Sequence, residues 1–265
     1  MLNSTRRRAR RHRWLAALML LAAAGLVGAD EAHKQVFADR AQADFHHTQA
    51  LYEFNTNDPA AAWQFGRACY NLTDFVTNNV RRAELASLGI AASRQALARE
   101  SNSAPAHYYL AIELGQLADT KRNLSAFKLV REMEREFKTA DDLDAHFDYA
   151  GPSRCLGLLY RDAPGWPVSV GNRHKARECF DRATRLAPDY PENHLILAES
   201  CWQWKDRDDA AKALKTLDAL WPTAQTKLTG EAWEQSWADW TERRDAVRKK
   251  IRETGAAAKE AKTAK

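Results

Sequence analysis

The sequence has 265 residues, 45% of them apolar and 28% charged, with a formal net charge of +5. Six arginines (Arg6, Arg7, Arg8, Arg10, Arg11, Arg13) fall in the first 29 positions, which hold no Asp, Glu or Lys; the rest carries 34 basic against 35 acidic residues, a net of −1. That balance excludes a broad basic surface for nucleic acid, and the composition excludes collagen, a disordered chain and a multi-span membrane protein.

In chain order, the basic stretch Arg6 to Arg13 precedes an apolar run from Trp14 to Val27, followed by small residues at Val27 and Ala29 just before Asp30. This is the order of a secretory signal, predicting residues 1–29 as a signal peptide cleaved near Ala29 and a soluble periplasmic body. An uncleaved membrane anchor is the alternative, although 14 apolar residues fall short of the roughly 20 a spanning helix needs. The paired arginines suit twin-arginine export only weakly, since apolar residues do not follow them directly.

From residue 30 to 254 nearly every segment has helical spacing, and the scarce Pro and Gly sit mostly in short connectors. Glu31 to Tyr52 reads as a leading helix. Degenerate helix pairs follow near 59–101, with Phe65-Gly66-x-x-Cys69, and near 104–137, with Leu110-Ala111-x-x-Leu114. The segments Asn71–Glu84 and Lys138–Tyr149 read as lengthened connectors. The clearest unit, near 150–188, holds Leu156-Gly157-x-x-Tyr160, then Ala176-x-x-x-Phe180-x-x-Ala183 and Pro188. This is the tetratricopeptide pattern without its leading Trp. The next unit, near 191–222, repeats Ala176 as Ala210, Phe180 as Leu214, Ala183 as Leu217 and Pro188 as Pro222, each 34 residues on. The expected fold is therefore all-α, a tetratricopeptide-like solenoid of helical hairpins sharing one core. A capping helix is expected over 229–252, with Trp233, Trp237 and Trp240 on one face, either sealing the last repeat or serving as a protein interface. Residues 255–265 read as a flexible tail.

Within the third unit, Pro164, Gly165, Pro167 and Gly171 break the helix. The apolar tip of this insertion, Trp166-Pro167-Val168, is either packed down or offered to a partner.

The motif search favours a non-enzyme. There is no H-E-x-x-H, Walker A loop, G-x-S-x-G or G-x-G-x-x-G. His46-His47 and Asp144-x-His146-x-Asp148 lack the spacing of paired helical metal ligands, so no metal or other cofactor is expected. Cys69, Cys155, Cys179 and Cys201 form no C-x-x-C pair and read as buried thiols; if a bridge forms, it lies among the last three. What remains is a surface. First helices of stacked pairs line a concave face, and their expected exposed stripe holds Trp63, Arg67, Tyr70, Tyr108, Arg154, Arg161, Glu199 and Trp202. Aromatics and Arg dominate binding surfaces, and three Arg on one face could hold a carboxylate or an acidic peptide.

The run from Gly151 to Asn172, with Ala163-Pro164-Gly165-Trp166-Pro167 and Val170-Gly171-Asn172, continues through Lys175-Ala176-Arg177 and Leu186 to Leu195. It resembles the T-component family of tripartite ATP-independent periplasmic (TRAP) transporters. The resemblance implies an exported partner of a periplasmic solute-binding protein, oligomeric and with an apolar channel for ligand. Family members are often lipoproteins, whereas no Cys stands near this cleavage point. A weaker likeness, to the eukaryotic regulator of microtubule dynamics proteins, runs through the helix pairs around Trp63 to Tyr70 and His107 to Leu114. The bacterial-type leader argues against that role. A general envelope scaffold binding peptides or assembly partners is the alternative reading.

Overall fold

A computed structural model describes residues 29–121 and 124–263 of the chain, with side chains over 34–121 and 124–254. The expected signal peptide lies outside the described residues, apart from Ala29. Among the described residues the chain forms ten helices and no strand, and no helix is long and apolar enough to cross a membrane. They divide into two compact units, with the boundary inside α7 (Arg173–Leu186) between Ala176 and Arg177.

The first unit holds α1 (Ala29–Phe54), α2 (Pro59–Thr73), α3 (Asn79–Arg99), α4 (Ala104–Thr120), α5 (Ser125–Leu143) and α6 (Phe147–Asp162). Helix starts follow local chemistry. Asp58 accepts a hydrogen bond from Ala60 N at 2.8 Å ahead of Pro59 in the first turn, and Asn78 does the same for Val80 N at 2.8 Å. Leading helix α1 buries Phe45 against Phe65 of α2, with ring centroids 5.4 Å apart. The pairs α2–α3 and α4–α5 are hairpins, and the first helices α2, α4 and α6 also contact one another in sequence. Gly66 is what lets α2 approach α3: a Cβ there would lie 2.7 Å from Ser93 Oγ and 3.4 Å from the Gly89 carbonyl.

Two connectors differ from expectation. The α2–α3 connector spans only 74–78, because Asn71–Thr73 and Asn79–Glu84 are helical. Asn78 caps α3 early, which shortens the link. The α5–α6 junction is short too, but carries three consecutive left-handed residues, Asp148 (φ 49°), Tyr149 (φ 54°) and Ala150 (φ 64°).

The second unit holds most of α7, then α8 (Pro191–Gln203), α9 (Arg207–Lys227) and α10 (Glu231–Thr263). Equivalent positions of the 34-residue repeat share an environment: Ala176 and Ala210 are fully buried, as are Ala183 and Leu217, and Phe180 and Leu214 nearly so. The prolines do not match. Pro188 follows the end of α7, whereas Pro222 sits inside α9, which runs on to Lys227. The Trp face of α10 seals the unit. Trp240 is 2% exposed and meets Tyr190 edge-on at 5.3 Å and Trp237 at 5.0 Å. The tail expected to be flexible continues α10 in helical backbone to Thr263.

Candidate partner-binding face

Trp63, Arg67 and Tyr70 stand at i, i+4 and i+7 on α2, all half-buried. Helix α4 supplies the facing aromatics. The Trp63 ring lies parallel to Tyr109 at 5.8 Å with an interplanar angle of 1°, and the Arg67 guanidinium sits 5.9 Å from the Trp63 centroid. Tyr109 turns its edge to Tyr108 at 5.2 Å and to Phe147 at 6.2 Å. Arg67 Nε is buried and finds no hydrogen-bond partner among the described residues. An unmet donor on a guanidinium is unusual in a finished structure, because buried N–H groups normally find an acceptor.

Tyr108 and Arg154, expected on an exposed stripe, are instead buried at 3% and 5%. The reason is Asp148. Its Oδ2 accepts from Tyr108 Oη and from Arg154 Nη2, both at 2.7 Å. Arg154 Nη1 reaches the carbonyls of Asp148 and Tyr149, each at 3.2 Å. These bonds hold the left-handed turn, a backbone state costing an L-residue roughly 1–2 kcal/mol. Gly151 is required beside it, since a Cβ would lie 2.8 Å from Tyr108 Oη. Burial pushes the Tyr108 hydroxyl well above its usual range, with the Asp148 charge adding to it. Tyr109 is raised by the same two causes in the same order, and Arg67 opposes them.

The other expected cations and anions are also internally engaged. Arg161 forms a two-pronged pair with Asp162 at 2.8 and 2.7 Å, with both side chains under 10% exposed. Glu199 on α8 is clasped by Arg243 of α10 at 3.0 and 2.8 Å. Trp202 lies beneath the Arg207 guanidinium, 3.5 Å from the ring centroid. Glu199 and Trp202 belong to the second unit, so they do not complete the α2–α4–α6 cluster. The three-arginine clamp expected from sequence thus reduces to one cation, Arg67, with an unmet donor.

Sequence reading missed Tyr109, Phe147 and the role of Asp148. The Tyr108-Tyr109 doublet was a signal for the first. Asp148 was visible only as part of a metal-like cluster, which does not assemble: Asp144 accepts from His146 N at 2.9 Å while Asp148 turns to Arg154. Likewise His46 pairs with Gln42 at 2.8 Å. All four cysteines are free thiols, with Cys155 Sγ 3.6 Å from Tyr108 Oη and Cys201 Sγ 3.3 Å from Arg177 Nη1. Burial pushes the Cys201 thiol up to about 11. A shallow open depression of about 790 Å³ lies elsewhere, on α3 and the end of α4, bordered by Val80, Leu88 and Lys121.

The insertion between α6 and α7 is a closed loop with an exposed tip. Gly171 N donates to the Pro164 carbonyl and Asn172 N to that of Tyr160, both at 2.8 Å. Trp166 is 89% and Val168 52% exposed, and Pro167 is exposed between them. The tip is therefore exposed rather than packed down.

Residues 26–148 match the family model of regulator of microtubule dynamics protein 1-3. That span covers Trp63, Arg67, Tyr108, Tyr109 and Asp148, but neither Arg154 nor the loop. It is the family of the weaker sequence likeness, not that of the TRAP component. No curated protein matches the chain. Among solved structures, MamA shares 16% identity over 76% of this chain and 98% of its own, with a TM-score of 0.45. Yeast Tom70 shares 11% over 83% of this chain, which spans 60% of the Tom70 chain, with a TM-score of 0.31. The stacked hairpins and their 34-residue register make this chain a tetratricopeptide-like helical-repeat protein.

Proposed function

We propose that the chain is an exported, non-catalytic protein-interaction module whose α2–α4–α6 face receives an acidic group of a partner at Arg67. The observation that carries this reading is the buried Arg67 Nε without an acceptor, set beside the parallel Trp63–Tyr109 pair. A carboxylate there would meet the unmet donor, while the aromatic faces would take an adjoining apolar group. Arg154 and Tyr108 position the face by fixing Asp148 and the start of α6.

The test is binding of acidic peptides, free or amidated at their C-terminus, to the wild type and to Arg67→Gln. Removing a charge-assisted bond costs about 2 kcal/mol, so the substitution is expected to weaken binding by at least tenfold. Equal affinity would rule out this face.

For the partner itself, the reading is a periplasmic solute-binding protein of a TRAP system. The Ala163 to Asn172 insertion supports it, through the family it resembles, and an exporting leader suits a periplasmic partner. Co-purification from periplasm should enrich such a receptor. If it enriches other envelope proteins instead, the general scaffold reading replaces the transport one.

A further inference from the structure

We infer that the α2–α4–α6 face takes a peptide segment of its partner in which one carboxylate stands beside an aromatic side chain, in preference to an acidic run or to an acid beside an aliphatic side chain. This deepens the Arg67 reading above and rests on it.

The charges on the three helices set the number of carboxylates. Arg67 is the only charged residue of α2. On α4, His107 Nδ1 meets Glu136 Oε2 at 2.6 Å, Asp119 pairs with Arg82 at 3.4 Å, and Glu113 is fully buried. On α6, Asp148 holds Arg154 and Asp162 holds Arg161, each at 2.7 Å. Every arginine of these helices except Arg67 therefore already has its acid, and Arg67 Nε is the donor left unmet. A second carboxylate would find no cation there to offset the loss of its water.

The rings set its neighbour. Half-buried Trp63 stands beside Arg67 and lies parallel to Tyr109. Tyr109 meets half-buried Phe147 at 89°, and Phe147 meets Tyr108 at 5.3 Å and 73°. Rings in parallel or edge-on contact gain more than the area they bury, so one more ring added to this series is favoured over an aliphatic chain. Burial keeps the Tyr109 hydroxyl protonated, so no phenolate competes for Arg67.

The second unit shows the closed form of the same pairing. Arg207 lies 3.5 Å from the Trp202 centroid and Arg244 4.0 Å from that of Trp221. Both also donate to an oxygen, Arg207 to the Trp202 carbonyl at 2.8 Å and Arg244 to Asp218 at 2.7 Å. Arg67 stops 5.9 Å from Trp63, near the outer limit of a cation–π contact, and its Nε has no acceptor. Ring and cation are each left with capacity for a partner.

The experiment is fluorescence anisotropy of labelled, end-blocked serine–glycine peptides with the full chain at physiological salt. The first peptide carries a phenylalanine next to one glutamate. The others replace the phenylalanine by leucine, replace the glutamate by glutamine, or add further glutamates. Leucine is expected to weaken binding about fivefold. Glutamine should weaken it at least tenfold. Added glutamates should change it by less than about twofold. These comparisons use the wild type, so no substitution has to fold. Trp63→Leu, or Phe147→Leu where circular dichroism shows Trp63→Leu misfolded, should narrow the preference for phenylalanine over leucine. Arg67→Gln should weaken both of those peptides alike. Equal binding of the phenylalanine and leucine peptides, or affinity climbing with each added glutamate, would overturn this inference while a loss in Arg67→Gln still upheld the Arg67 site. No loss in Arg67→Gln with any peptide would remove the site and the inference together.

Discussion

Glu113 of α4 closes directly onto Gly89 of α3: a Cβ at Gly89 would lie 2.3 Å from Glu113 Oε1. The carboxyl is completely buried, and neither oxygen has a hydrogen-bond partner among the described residues. Burial pushes its pKa well above the ordinary carboxylate range, and the Asp74 charge pushes the same way. The Cys69 thiol, also nearby, is raised by its own burial and then by Glu113. The acid is therefore held neutral where an unfolded chain would have released its proton. Because the folded pKa lies above the unfolded one, stability declines as pH rises from the unfolded value towards the folded one. The slope attributable to this group approaches 1.4 kcal/mol per pH unit at most. Denaturant melts across that range should show the decline in the wild type and a flatter profile in Glu113→Gln. Parallel profiles would mean that Glu113 is not the titrating group.

The same contact makes Gly89 intolerant of a side chain. In Gly89→Ala the new methyl would strike Glu113 Oε1, Cδ and Cγ, the last two at 2.5 and 2.8 Å. Helix propensity alone would favour Ala by about 1 kcal/mol. Overpacking against an enclosed side chain costs about 1–3 kcal/mol and should win. Chemical denaturation is expected to show net destabilisation, and a stabilised variant would show that α3 and α4 part freely.

Asp148 should be the costliest polar residue on the α2–α4–α6 face. Asp148→Asn removes the charge facing Arg154, whose side chain is only 6% exposed, while Asp148 itself is 34% exposed. Partial exposure tempers the full penalty of a stranded buried charge, leaving about 2–3 kcal/mol. Thermal melts check the loss. Ligand binding at Arg67 should weaken with it, since the turn that seats Phe147 beside Tyr109 loses its clasp.

The helical hairpins were legible because they rest on periodicity: Gly66, Ala176, Ala210 and Phe180 sit where a 34-residue repeat requires small or large buried groups. The exposed stripe was harder to read. Arg154 and Tyr108 have the helical phase of a binding face, but Asp148 captures both from a left-handed turn that nothing in Asp148-Tyr149-Ala150 advertises, since L-residues rarely enter that region. Arg161 was lost to its own neighbour, Asp162, and Glu199 to Arg243, 44 residues away on α10. Pairing of that kind depends on which helices meet, and spacing within one helix cannot show it. Pro222 misled for a related reason. It matches Pro188 by register, yet the helix around it continues, so a register equivalence did not mark a helix end.

The tryptophan cap separates two contributions that one substitution would mix. Trp237 donates its indole N–H to the Leu228 carbonyl at 2.7 Å and stacks edge-on to Trp221 at 5.1 Å. Trp237→Phe keeps most of the apolar surface and removes the donor, so a loss of about 1 kcal/mol is expected. Trp240 lies deeper, only 2% exposed, against Tyr190, Trp233 and Trp237. Trp240→Ala should cost about 3–5 kcal/mol. Guanidinium titrations followed by circular dichroism distinguish the two. If Trp240→Ala cost no more than Trp237→Phe, α10 would be resting on the repeats rather than completing their core.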